Sequence, residues 1–185
     1  EKGEKGEPGE AFFSGSPGKR YMAVYNNAGA STLTGVGMTA PSISYSGGTG
    51  SAASADDSDG PWLQITTDND SGDAANLSST SLVRRDWDPE LYARIKTGSD
   101  SSVRYWVGLS ASSGTTLTSN DNPNTALAAL RSTSGGKWQF CTDTASGGSS
   151  ATCVDTGVSF QTNTAYTLGV ACQTNTDQCR AYIDG

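Results

Sequence analysis

The chain contains no histidine, and that one absence removes much of the common catalytic repertoire. Ser-His-Asp and Cys-His nucleophile systems both need an imidazole as base, and no His-based metal centre can form. Glutamate is nearly as scarce: beyond residue 10, Glu90 stands alone. The two carboxyl groups of a glycosidase would therefore have to come largely from aspartates. Those lie in Gly/Ser/Asn-rich stretches, where turn formation is their ordinary role. No catalytic residue is assigned, and the chain is expected not to be an enzyme. No apolar run is long enough to cross a bilayer, so no membrane insertion is expected, and no signal-peptide pattern is present. The balance of 12 basic against 19 acidic residues, net −7, argues against nucleic acid or an anionic membrane as partner. Long helical patterns are missing too, except that residues 124–130 could form about two turns.

What is present begins with glycine. Gly3, Gly6 and Gly9 recur at every third position, the register of a collagen triple helix, in which only hydrogen fits against the shared axis. Lys2-Gly3-Glu4 and Lys5-Gly6-Glu7 set a cation before the first two axial glycines and an anion after them, so that neighbouring chains of a staggered homotrimer can pair. Each such exposed pair is worth only about 0.2–1 kcal/mol, but the pairs repeat. Pro8 pre-sets φ for the same helix. A disordered charged tail of period three is the alternative. Three triplets are too few to hold a trimer unaided, so the head, or further stalk, must share that task.

Beyond the stalk the composition is that of many short strands joined by small polar turns. Strands are expected at residues 21–25, 33–36, 42–45, 62–66, 90–96, 103–109, 137–141, 153–157, 164–172 and 180–183. Residues 46–60, rich in Ser, Gly, Ala and Asp, read as a flexible loop. The count and spacing point to an all-β, two-sheet antiparallel sandwich. Segments 1–10, 11–80 and 81–185 read respectively as stalk, transition with the first strands, and head. Asp184-Gly185 is a hairpin turn signal at the last residue, so a further strand is expected to follow it.

Each cysteine pair brackets a turn-rich stretch. Cys141 and Cys153 lie on opposite arms of one expected hairpin, and Cys172 and Cys179 on those of another. Cross-strand Cβ atoms come close enough to bridge. Two local disulfides, Cys141–Cys153 and Cys172–Cys179, are therefore expected, and with them an oxidising or extracellular setting. Four buried free thiols are the alternative.

Two further sets of side chains are candidates for ligand chemistry. Asp68, Asp70 and Asp73 alternate around Gly72, giving oxygen ligands of the kind calcium takes, with Asp56, Asp57 and Asp59 nearby in sequence. The glycine falls one place early for an EF-hand loop, and no bidentate glutamate follows, so a solvated acidic turn is the alternative. Apart from calcium, no cofactor is expected. Trp62, Trp87, Trp106 and Trp138 could stack on a sugar, although most tryptophans in such a sandwich serve as core or interface anchors. Trp106 lies on the face opposite Tyr105 and Val107. No ligand-binding residue is assigned.

The succession of segments 92–97, 105–109, 129–133, 137–140, 155–158, 163–168 and 181–185 resembles concanavalin A-like (laminin-G-like) jelly-roll domains. In particular it is similar to the heads of tailed-bacteriophage fibre and tail proteins, in which collagen-like triplets precede globular domains. The resemblance covers residues from about 80 onward and rests on strand order and spacing. It implies an antiparallel jelly-roll head on a short collagen-like segment, in a homotrimeric virion fibre. The partners it implies are other virion structural proteins and a host-surface glycan. A bacterial surface adhesin or extracellular filament is the second reading, and a stalk-tethered polysaccharide depolymerase the third.

Overall fold

The computed structural model describes residues 22–26, 29–33, 42–68, 70, 72–78, 88–111, 127–132, 136–143, 151–173, 175–176 and 178–184. The stalk glycines Gly3, Gly6 and Gly9, and Trp87, lie outside them. The described residues contain thirteen strands and no helix.

Seven strands build the sandwich. They are β7 (Glu90–Lys96), β8 (Trp106–Ser110), β9 (Leu127–Ser132), β10 (Lys137–Asp143), β11 (Thr152–Ser159), β12 (Ala165–Gln173) and β13 (Gln178–Ile183). One sheet has the order β11-β10-β9-β8 and the other β13-β12-β7, with every pairing antiparallel. The chain leaves β7, meanders through the four-stranded sheet, and returns so that β12 pairs with β7.

The strand pleat decides what is buried, because alternate side chains face opposite sides. Tyr166, Leu168, Val170 and Cys172 point from β12 into the space between the sheets. There they meet Ala128 and Leu130 of β9, Trp138 of β10, and Phe160. Trp138, Leu130, Leu168 and Val170 are wholly buried, and each large apolar side chain is worth about 1.5–3 kcal/mol. Trp138 meets Phe160 and Tyr166 edge-on, at ring separations of 5.8 and 5.3 Å.

Both expected disulfides are present. Cys141 stands directly opposite Cys153 and Cys172 opposite Cys179, with Cα atoms 4.0 Å apart in each pair. Cys172–Cys179 closes one end of the inner core. Cys141–Cys153 sits on the outer side of its sheet, in a second apolar cluster with Leu127, Ala129 and Ala151.

Three corrections concern secondary structure. Residues 127–130, read as part of a short helix, belong to β9, whose six residues are all buried. A strand covered on both faces loses its alternation and reads like any apolar run. Residues 50–57, read as loop, form β4 (Gly50–Asp57), paired along its whole length with β5 (Gly60–Thr67). Here the partner strand overrides the weak preference of Ser and Ala. The β8 strand begins at Trp106 rather than at residue 103.

The first strands are β1 (Met22–Asn26), β2 (Gly29–Leu33), β3 (Ser42–Ser46) and β6 (Ala74–Ser78). β1 pairs with β2 and β3 with β6. Because β4 and β5 lie between β3 and β6, residues 42–78 form one nested hairpin. It is interrupted where residues 47–49 run beside Asp68, Gly72 and Asp73. At its tip Gly60 takes φ 115°, a conformation in which any other residue would be strained.

Candidate functional site

Two places on the described surface gather polar or aromatic side chains beyond what folding needs. The first is the outer face of the sheet β13-β12-β7. Its middle row consists of Tyr92, Gly169 and Tyr182, since Gly169 lies opposite both tyrosines. The adjoining row is Glu90, Ala171 and Arg180. On the other side Thr167 stands opposite Arg94.

The middle row is aromatic across the whole width of the sheet. A Cβ at Gly169 would meet Cε1 and Cδ1 of Tyr92 at 2.5 and 2.6 Å, so the edge of that ring occupies the space of the missing side chain. Glycine inside a strand marks this kind of close approach. The two rings lie 6.2 Å apart and tilt by 37°, and both residues remain exposed, at 37% and 40%.

The neighbouring row is charged. Glu90, which opens the expected strand 90–96, is the first residue of β7. Its carboxyl is pushed above its ordinary value by partial burial first and by the nearby Asp88 charge second. Burial likewise raises the Tyr92 phenol, with smaller effects from Glu90 and Tyr182.

The tip of the nested hairpin bounds this face on its far side. Lys96 Nζ donates to Asp57 Oδ2 and Asp59 Oδ2, both at 2.6 Å. The Arg94 guanidinium lies 4.9 Å from the centre of the Trp62 ring and donates to the Asp59 carbonyl. Asp57 Oδ1 also accepts from the Trp62 indole and the Asp59 N–H. With the Lys96 hydrogen bond as the largest cause, these donors hold Asp57 down to about 2. Asp57 and Asp59, singled out as neighbours of the acidic turn, thus act as a clasp on β7.

The second place is the interruption of that hairpin. Asp68, Asp70 and Asp73 bring carboxylate oxygens within 4.8 Å of one another, as their alternation suggested. Asp68 Oδ2 accepts from the N–H and hydroxyl of Thr49, at 2.8 and 3.1 Å. The Thr49 N–H is the main cause that lowers the Asp68 carboxyl. Asp73 Oδ2 is a buried oxygen with no hydrogen-bond partner. Gly47 and Gly48 leave room for these groups, because a Cβ at either would run into the Asp68 or Asp73 side chain. The loop offers three carboxylates toward the six to eight oxygens of a calcium shell. One of them is already engaged in closing the turn through Thr49.

The tryptophans named as sugar platforms are otherwise occupied. Trp138 is core. Trp106 does face outward from the core, yet it packs against Leu127, Ala129 and Cys141, with the Arg131 guanidinium 5.4 Å from its ring centre. Trp62 is half covered and lies against Arg94. The exposed rings are the tyrosines that sequence reasoning passed over. Alternation along β7 turns Leu91, Ala93 and Ile95 inward and leaves Tyr92 outward, a pattern visible in the sequence, as is the glycine inside β12.

No protein-family model, curated protein or solved structure matches the chain.

Proposed function

We propose that the chain is a non-enzymatic, trimeric adhesive fibre protein of a phage virion, whose β-sandwich head contacts a host-surface glycan or another virion component. The observation that carries this is the register of Gly3, Gly6 and Gly9 with its Lys-Gly-Glu pattern, ahead of a sandwich latched by two local disulfides. A threefold stalk multiplies a weak site: three identical heads gain avidity without any stronger single contact. Two disulfides and the lack of a long apolar helix among the described residues agree with an extracellular setting. The placement in a virion rests on the resemblance of residues 80–185 to fibre heads.

Sedimentation tests the stalk, and binding to immobilised surface polysaccharide tests the adhesion. One observation favours polysaccharide cleavage instead: Glu90 has the raised carboxyl that a general acid needs and an acidic neighbour in Asp88. Release of reducing sugar by the purified protein, abolished in Glu90→Gln, would replace adhesion with catalysis.

A further inference from the structure

We infer that the outer face of β7, β12 and β13 is a binding site for a neutral pyranose, stacked on Tyr92 and Tyr182 and held at its hydroxyls by Glu90 and Arg180. This rests on the adhesive reading above and names the ligand class and residues that reading leaves open.

The shape of the face comes from its centre. Along β12 the outward positions at the centre of this face are Thr167, Gly169 and Ala171, with Ala165 and Gln173 at its two ends. They lie between flanking positions of β7 and β13, which stand about 9.6 Å apart at two inter-strand spacings. At Gly169 the Tyr92 ring leans over the glycine toward Tyr182, and the two rings form an aromatic strip. In the next row the buried Ala171 separates Glu90 of β7 from Arg180 of β13, both of them exposed. An apolar strip beside separated donors and acceptors matches a pyranose, which has a C–H face and a rim of hydroxyls. Tyrosine suits this role, since it is a large rigid surface with few rotatable bonds.

Charge and size narrow the choice. Glu90 and Arg180 carry opposite signs in one row, and no ion pair joins them among the described residues. An anion stacked on the rings would meet Glu90, and a cation would meet Arg180. A neutral polyol satisfies both, because each hydroxyl donates to the carboxylate or accepts from the guanidinium. A stable protein interface needs about 800 Å² from each partner. This face is three strands wide and is closed off beyond Arg94 by Trp62, Asp57 and Asp59. Its open part suits one or two sugar rings.

The test uses the full chain against immobilised gluco-, galacto- and manno-configured trisaccharides. Tyr92→Ala, Tyr182→Ala, Tyr92→Phe and Tyr182→Phe are compared with Val154→Ser as a surface control on β11, and each variant's folding is checked by its thermal melt. We expect binding to at least one configuration. Each Tyr→Ala change should weaken it about three- to tenfold, the range of a single aromatic contact, while both Phe variants and Val154→Ser stay near wild type. Wild-type protein that binds none of the probes at millimolar concentration overturns the proposal. So does undiminished binding by folded Tyr→Ala variants, an outcome that leaves adhesion standing and moves it elsewhere. Concentration-dependent pairing of heads, lost in the Tyr→Ala variants, would assign the face to a second copy and equally overturn the sugar. The mass of the same samples reports on the trimer separately, so the two ideas can fail independently.

Discussion

Replacing Gly169 with alanine should destabilise the wild-type protein and stabilise one that lacks the Tyr92 ring. Gly169 does not have positive φ, so alanine suits its backbone and on its own gains about 0.5–1 kcal/mol over glycine in a strand. The new Cβ, however, would lie 2.5 Å from Cε1 of Tyr92, closer than atoms can approach, and the ring must swing away. Leaving its rotamer costs about 0.5–1.5 kcal/mol, and losing the tilted contact with Tyr182 costs about as much again. Set against the backbone gain, Gly169→Ala should lower stability by about 1 kcal/mol. In a Tyr92→Ala background both penalties vanish, and the same substitution should raise stability by about 0.5–1 kcal/mol. Urea denaturation of the two single variants and the double variant closes the cycle, with a coupling of about 1–3 kcal/mol. The same sign of effect in both backgrounds would refute the packing of Tyr92 over Gly169, and with it the aromatic strip.

Three other outcomes follow from the same geometry. Opening the disulfides by paired Cys→Ser changes should cost roughly 3 kcal/mol for Cys141–Cys153, which spans 12 residues, and roughly 2.5 kcal/mol for Cys172–Cys179, which spans 7, from chain entropy alone; no shift in denaturation midpoint for either would contradict the latching role. Asp57, Asp68, Asp100 and Asp155 all have carboxyls lowered in the fold, through Lys96, Thr49, Ser102 and Gly157 respectively, so the unfolded chain binds more protons below the ordinary 3.8. Their stabilisation is present above that value and is lost as pH falls below it, toward about 2 for Asp57, while Glu90 alone trends the opposite way, and a melting temperature unchanged across that window would refute it. At the hairpin interruption, Asp73→Asn should raise the melting temperature in chelator, because it removes one of three clustered carboxylates. A fall there would refute the repulsion, and a wild-type melting temperature unmoved by millimolar calcium would leave the loop a turn closed by Thr49.

How much of this was legible depended on whether a signal was local. The alternation of Leu91, Ala93 and Ile95 gave β7 and its inward face directly, and turn-bracketed cysteines gave both bridges. The all-β class followed from the spacing of such segments. β4 was not legible, because its Ser and Ala residues become a strand only through pairing with β5. β9 was ambiguous because burial on both faces erases the period that identifies a strand. At the sites, the closeness of Asp68, Asp70 and Asp73 was readable from their spacing. The clasp of Asp57 and Asp59 on Lys96 joins positions far apart in the chain, as does the aromatic strip of Tyr92 and Tyr182. The strip exists only because β12 pairs with both β7 and β13, and the clasp only because the β4–β5 tip lies against β7.

The central claim is that three chains share one stalk, and sedimentation equilibrium tests it most directly. At micromolar concentration the full chain should sediment at three times its 19.0 kDa mass, and replacing Gly6 with a bulkier residue should weaken that association. A single 19.0 kDa species across the concentration range, insensitive to Gly6, would contradict it.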